Sequence, residues 1–286
     1  ALGAGGVLGG AWLASGLAAI FRESGWDPAT SDCVMGTSAG SVFAALTAAQ
    51  IPPHRLLPQG VETLEDISEL SAGGLAARDD WLLLELNQEA SYRLPRALPR
   101  PLPGSARLLL RGLREPLKAL SGLAPAGQVS TGPIRRTIRQ AVPAGWADHP
   151  NCWVVACDYD TGARVVFGRD DAPAAELADA VAASCAIPGF FKPVRIGGRR
   201  YVDGGLHSMS NLDLYSGLGL DLVICLNPLS ARATARGWHP LTRVAAALRS
   251  LATHQIDVEV ERLLEEGTSV IVIEPTAADL EVIGDN

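Results

Sequence analysis

The sequence predicts an α/β protein built around a mainly parallel central sheet. Three observations carry that expectation. Strand-like and helix-like stretches alternate along most of the chain. A glycine-rich loop, Gly3 to Gly10, follows a strand-like start. A G-x-S-x-G turn, Gly36 to Gly40, joins a buried-looking apolar run to a small, apolar helical run. The chain has 286 residues, 48% of them hydrophobic and 19% charged, enough for one large domain with a sizeable core.

Ala1-Leu2 reads as the tail of a strand, with the glycine-rich loop after it. Ala11 to Ser24 reads as a helix that stops at Gly25. Asp32 to Met35 reads as a short buried strand, and Ala39 to Gln50 as a packed helix ended by Pro52-Pro53. From about 52 to 150 the composition shifts to Pro, Arg and Leu with short helical pieces. That predicts a helical cap inserted into a single domain (1–286) whose core is about 1–50 and 151–286. Strand signals return at Cys152 to Cys157 and Arg164 to Phe167, around the turn Asp160-Thr161-Gly162. Ala174 to Cys185 reads as a helix, and Val194 to Val202 as a hairpin turning at Gly197-Gly198. Leu222 to Leu226 is a buried strand, Leu241 to Glu266 a long amphipathic helix and Val270 to Ile273 a last strand.

Bulk properties exclude several function classes. No apolar run reaches the roughly 18 residues of a membrane-spanning helix. The first residues carry no basic signal-peptide pattern, so a cytoplasmic location is expected. A net charge of −7 argues against nucleic acid as a partner. The five cysteines show no C-x-x-C or Cys/His metal spacing and read as buried free thiols in a reducing compartment.

The basic residues are unevenly spread. Arg93, Arg96, Arg100, Arg107, Arg111, Arg114, Lys118, Arg135, Arg136 and Arg139 concentrate between 91 and 140. Within this stretch Ser105 to Leu120 reads as a basic amphipathic helix, broken or kinked at Pro116. It fits either an interfacial lid that touches anionic headgroups or a cap helix whose arginines are solvated.

The chemistry-bearing residues are few. Ser38 sits between Gly36 and Gly40 with a helix N-terminus behind it, which favours the negative charge that develops in acyl transfer. The loop Gly3-Ala4-Gly5-Gly6-Val7-Leu8-Gly9-Gly10 can converge backbone N–H groups on an anion, either a nucleotide phosphate or a catalytic oxyanion. A strict G-x-G-x-x-G register does not fit it, and a serine elbow downstream makes the oxyanion the more economical ligand. Asp203, followed by Gly204 and Gly205, closes the strand-like Arg200-Tyr201-Val202 and can accept a proton from a neighbouring strand end. The five histidines, His54, His149, His207, His239 and His254, lack a distinctive local motif; His207 alone stands close to Asp203 in sequence as a possible triad member.

In this order, glycine-rich loop, G-T-S-A-G, then D-G-G, the chain resembles the patatin-like phospholipase family. Ala183 to Pro193 (A-S-C-A-I-P-G-F-F-K-P) and Tyr201 to Gly205 strengthen the match, which covers roughly 1–228. The resemblance implies a three-layer α/β/α fold and a serine–aspartate dyad that hydrolyses a carboxylic ester in a lipid through an acyl-serine. It gives Ser38 as nucleophile, Asp203 as base, and the N–H groups of Gly5 and Gly6, with Ala39, as oxyanion hole. Gly3, Gly9, Gly36, Gly40, Gly204 and Gly205 would support the motifs. No metal or organic cofactor is implied. The partners would be a lipid ester and, through 91–140, the periphery of an anionic membrane.

Two departures stand out: Ala4 replaces the loop's first glycine, and Leu8 occupies the family's basic position, which removes a positive charge near the site. His207 to Asn211 replaces a proline-containing turn and points to that loop as a shaper of the acyl pocket. Two other readings follow from the residues. One is a Ser-His-Asp esterase on an α/β-hydrolase fold, and the other a non-catalytic lipid-binding member of the same fold.

Overall fold

The computed structural model describes residues 1–52, 127–231 and 240–283. Along its two central strands, β1 (Val34–Thr37) and β2 (Cys152–Asp158), alternate residues face opposite layers. Val34, Cys152, Val154 and Ala156 enter one buried cluster, while Met35, Trp153 and Val155 enter another. This is the period of two that a pleated strand imposes. It makes the sheet the middle of three layers.

Helices α1 (Gly6–Ser24), α2 (Ala39–Ala48), α3 (Gly132–Ala141) and α4 (Leu177–Ser184) complete the first cluster, with Leu13, Leu46, Ile138 and Val181 fully buried. On the other face α5 (Pro240–Glu265) contributes Ile256 and Leu263, beside Leu212 and Tyr215 of a short 3-10 turn, Leu212–Tyr215. A last helix, α6, spans Ala277–Ile283.

The sheet is mixed, with parallel ladders through its centre. β1 runs parallel to β2, and β6 (Leu222–Leu226) parallel to β7 (Ser269–Ile273). The first residues join these two pairs, because Leu2 bridges Gly36 and Leu226, both in the parallel sense. Three antiparallel ladders lie around β2: β3 (Arg164–Phe167) on β2, β5 (Arg199–Asp203) on β2, and β4 (Val194–Ile196) on β5.

One feature of the register positions the site. Val154 and Val155 pair with both β1 and β3, whereas Ala156 and Cys157 pair with both β3 and β5. Strands β1 and β5 therefore share one side of β2, opposite β3. They run in opposite directions and meet end to end, Thr37 opposite Val155 and Asp203 opposite Ala156.

The elements differ from the sequence expectation in their boundaries. Helix α1 starts at Gly6 rather than Ala11, so half of the glycine-rich loop is helical. Its glycines serve packing: a Cβ on Gly9 would lie 3.0 Å from Pro228, and one on Gly10 3.2 Å from Phe43. Strand β1 is shifted towards Thr37, and α2 ends at Ala48. The segment 127–150, grouped with the cap by composition, packs into the main core through α3, Val142 and Ala147. The amphipathic stretch 105–120, the basic residues from Arg93 to Lys118, His54 and His239 lie outside the described residues.

The five cysteines are free thiols, four of them buried. Burial pushes Cys33, Cys152 and Cys225 up to about 12, which leaves them protonated and unreactive at neutral pH.

Replacing Ile138 by Ala removes a fully buried side chain from the layer shared by α2, α3 and α4. We expect a loss of about 2–5 kcal/mol in urea unfolding. A change below roughly 0.5 kcal/mol would mean that α3 stands outside the cooperative core.

Candidate active site

Ser38 stands between the end of β1 and the first residue of α2. Its φ of 53° and ψ of −125° place a non-glycine residue in a strained conformation, worth on the order of 1–3 kcal/mol. The surrounding chain enforces the turn by close approach. A Cβ on Gly36 would fall 2.3 Å from the Gly40 carbonyl oxygen, and one on Gly40 2.1 Å from the Leu2 carbonyl oxygen. Only glycine leaves room for these backbones, which is why the motif needs it at both ends.

The strained serine is held from several sides. Its N–H donates to Ser184 Oγ at 2.9 Å, and Ser184 Oγ in turn donates to the Val155 carbonyl at 2.6 Å. Its carbonyl accepts from the Ser41 amide at 2.9 Å, from Ser41 Oγ at 2.6 Å and from Cys185 Sγ at 3.2 Å. Burial raises Cys185 strongly, so it acts as a neutral donor there and not as a rival nucleophile.

Asp203 ends β5 and caps the short 3-10 turn Gly204–Leu206. One carboxylate oxygen accepts the Gly205 N–H at 2.8 Å. Gly204 has the same steric reason as Gly40: a Cβ there would lie 2.4 Å from the Val155 carbonyl oxygen. Burial pushes the Asp203 carboxyl up to about 6, while hydrogen bonds from the Ser38 side chain and the Gly205 amide pull it down. A carboxylate desolvated to this degree is a better proton acceptor than one in water.

The other three residues with candidate roles sit at helix starts. Gly5 is the N-cap of α1, Gly6 its first residue and Ala39 the first residue of α2. The first amides of a helix have no intrahelical acceptor. Neither helix has an acidic residue in its first turn or a side-chain cap, so nothing local neutralises the positive end of either dipole. The two N-termini are neighbours, since Gly40 packs on the carbonyls of Leu2 and Gly3. Gly6 is exposed and Gly5 and Ala39 are half-buried, whereas Ser38 and Asp203 are buried.

The histidines fall elsewhere. The His207 imidazole acts electrostatically on Asp213, and no histidine is among the groups that shift Asp203. His149 accepts from the Asn151 amide through Nδ1, at the start of β1 and β2 and so at the far end of the sheet. His254 lies on α5. Among the described residues no group of three His, Cys, Asp or Glu side chains is placed to hold a metal ion.

Sequence reasoning pointed to the loop His207 to Asn211 as a shaper of the acyl pocket but gave no individual role to Ser184 or Asn211. Ser184 lies inside a stretch quoted for its resemblance, yet nothing in the sequence shows that its hydroxyl bridges β1 to β2. Asn211 is fully buried and donates from Nδ2 to Thr37 Oγ1 at 3.0 Å, one residue before Ser38. Its left-handed backbone (φ 53°, ψ 31°) is one that asparagine tolerates better than most residues.

Of the basic residues at 91–140, Arg135 pairs with Asp179 at 2.7 Å and Arg139 with Glu176 at 2.6 Å. No helix among the described residues is long and apolar enough to cross a membrane. The family model described as patatin-like phospholipase matches residues 1–214, a span that includes Gly5, Gly6, Ser38, Ala39 and Asp203.

Replacing Ser184 by Ala leaves the Ser38 N–H and the Val155 carbonyl without their partner in a buried place. A destabilisation of about 1–3 kcal/mol is expected in chemical denaturation. A neutral result would show that the bridge between the two strands does not need this hydroxyl.

Proposed function

We propose that this chain, which belongs to the patatin-like phospholipase family, hydrolyses carboxylic esters of lipids with Ser38 and Asp203 as a two-residue catalytic unit. The observation that carries the reading is the end-to-end meeting of β1 and β5 on one side of β2. It brings a strained serine and a desolvated carboxylate together beside two uncapped helix N-termini.

The reaction follows from these parts. Asp203 takes the Ser38 hydroxyl proton as Oγ bonds to the ester carbonyl carbon. The carbonyl electron pair moves to oxygen, and that oxyanion is met by the N–H groups of Gly5, Gly6 and Ala39. One such donor is worth about 3–4 kcal/mol of transition-state stabilisation. Collapse breaks the bond to the alcohol, which leaves with the proton from Asp203 and gives an acyl-serine. Water then attacks the acyl carbon as Asp203 takes one of its protons; collapse breaks the bond to Ser38 Oγ, which takes that proton back from Asp203, and the fatty acid is released. No step calls on a histidine or a metal. The site accepts an uncharged ester carbonyl, and two exposed residues offer apolar contact to an acyl chain: Val7 in the first turn of α1, and Ile187, which follows the residue whose carbonyl accepts the Asp203 N–H.

We also propose that the protein works in a cytoplasmic setting and touches the periphery of anionic membranes through the basic stretch 91–140. Support for that part is the basic amphipathic pattern of 105–120 in the sequence. Changing Arg107, Arg111 and Arg114 to Glu is expected to weaken binding to anionic liposomes. Unchanged binding would refute a membrane role for that helix.

A fluorophosphonate probe is expected to label wild type and His207→Ala but neither Ser38→Ala nor Asp203→Asn, with turnover of a short-chain nitrophenyl ester following the same pattern. Loss in a folded His207→Ala would restore the triad reading, and an unlabelled, inactive wild type would favour a lipid-binding role without turnover.

The pH dependence has a definite sign. The base must be ionised, so kcat/KM falls as pH drops below about 6. The same raised pKa means that the folded state holds a proton more tightly than the unfolded chain. Asp203 therefore favours folding below pH 3.8, and that contribution is lost as pH rises to about 6. Asp203→Asn should accordingly gain stability relative to wild type between pH 4 and pH 7, roughly 1.4 kcal/mol for each unit of pKa shift. A pH-independent difference in urea midpoints would contradict the burial of this carboxylate.

A further inference from the structure

Glu259 is a buried carboxylate on α5, 7% exposed, beyond the residues that the family model matches. It takes no part in the chemistry above, yet its bonds lead towards it. One oxygen accepts Ser208 Oγ at 2.6 Å; the other accepts Ser210 Oγ at 2.5 Å and the Leu212 N–H at 2.8 Å. Ser208 Oγ is itself a hub, because it accepts the amides of Asn211 at 2.9 Å and Ser210 at 3.3 Å. All of these groups lie in the loop that directly follows the D-G-G turn.

That loop fixes the residue before the nucleophile and the residue before the oxyanion amides. Asn211 Nδ2 donates to Thr37 Oγ1 at 3.0 Å, and the Met209 carbonyl accepts the Ala4 N–H at 2.9 Å. Arg164 steadies the same loop from the sheet, reaching Asn211 Oδ1 at 3.1 Å while it grips both oxygens of Asp213. Two strands of contact thus run from one carboxylate, one to Ser38 through Thr37 and one to Gly5 through Ala4.

We propose that Glu259 is a positioning residue for ester hydrolysis: through Ser208, Ser210, Asn211 and Met209 it sets the spacing between the nucleophile and the oxyanion amides. The inference rests on the serine-hydrolase reading of Ser38. A carboxylate suits the task because it accepts from several donors at once and donates to none, so all three loop donors can point at it together. Its burial raises its pKa, and the three donors oppose that rise. Alanine would leave those donors without an acceptor and free the loop to shift. A glutamine keeps the length and one acceptor oxygen but must turn an N–H₂ towards at least one hydroxyl.

The test compares wild type, Glu259→Gln, Glu259→Ala, Ser208→Ala and Ser38→Ala. Readouts are melting temperature, the rate of fluorophosphonate labelling, and kcat and KM on a nitrophenyl ester, with kcat normalised to labelled serine well below the melting point. The expected result is a fall of roughly 10- to 100-fold in kcat and labelling rate for Glu259→Ala, with KM changed less than about twofold. Glu259→Gln should recover part of the rate, and Ser208→Ala should resemble a mild Glu259→Ala.

A residue that only stabilises the fold would lower the melting temperature and the amount of labelled protein, and leave kcat per labelled serine at the wild-type value. That outcome overturns the inference while Ser38→Ala, unlabelled beside a labelled wild type, keeps the hydrolase reading intact. Wild type that takes no label overturns both. If Glu259→Ala does not fold, Glu259→Gln and Ser208→Ala decide by the same split between kcat and KM.

Discussion

Two strands of opposite direction share one side of β2, and the rest of the site depends on how they end. β1 arrives parallel and β5 antiparallel, so their C-terminal ends face each other across one step of β2, between Val155 and Ala156. A sheet normally keeps strand ends of opposite direction at opposite edges. At this junction Ser184 on α4 donates its hydroxyl to the Val155 carbonyl. The same hydroxyl accepts the Ser38 amide. Ser38 and Asp203 are thus anchored on adjacent residues of β2, Val155 and Ala156, rather than on two independent loops.

Steric limits at this junction explain the glycines better than flexibility does. Gly36, Gly40 and Gly204 each stand where a Cβ would meet a backbone carbonyl at about 2 Å from it. Backbone carbonyls cannot move aside as a side-chain tip can. The resulting density holds Ser38 at a positive φ, and keeps Asp203 dry enough for burial to dominate its protonation. The strain and the desolvation both cost stability, and the two buried clusters of the three-layer core offset them.

Electrostatics come from the backbone as much as from side chains. Helices α1 and α2 point bare N-termini at the same region, with no acidic residue in either first turn. Asp203 and Glu259 are both buried carboxylates, but their surroundings differ. Asp203 has few donors and is pushed up to about 6. Glu259 is satisfied by two hydroxyls and an amide. The number of donors separates the two environments.

The sequence by itself determined the fold class, the order of its elements, and the pair Ser38 and Asp203 as the residues to watch. Those signals are local: a period of two or 3.6, a glycine where backbones crowd, an aspartate at a strand end. It placed α1 five residues late, because the glycines that look like an open anion loop are in fact helical positions packed on Pro228 and Phe43. It gave 127–150 to the cap on composition, although Ile138 and Val142 belong to the core. Only the tertiary structure decided that β1 and β5 meet end to end, that Ser184 closes their junction, and that Glu259 reaches the loop beside the site. Each of these joins residues distant in the chain, and no spacing or composition encodes which serine or glutamate a fold will bring to a buried donor. Burial and pairing are properties of the packed whole, and so are the protonation states that follow from them.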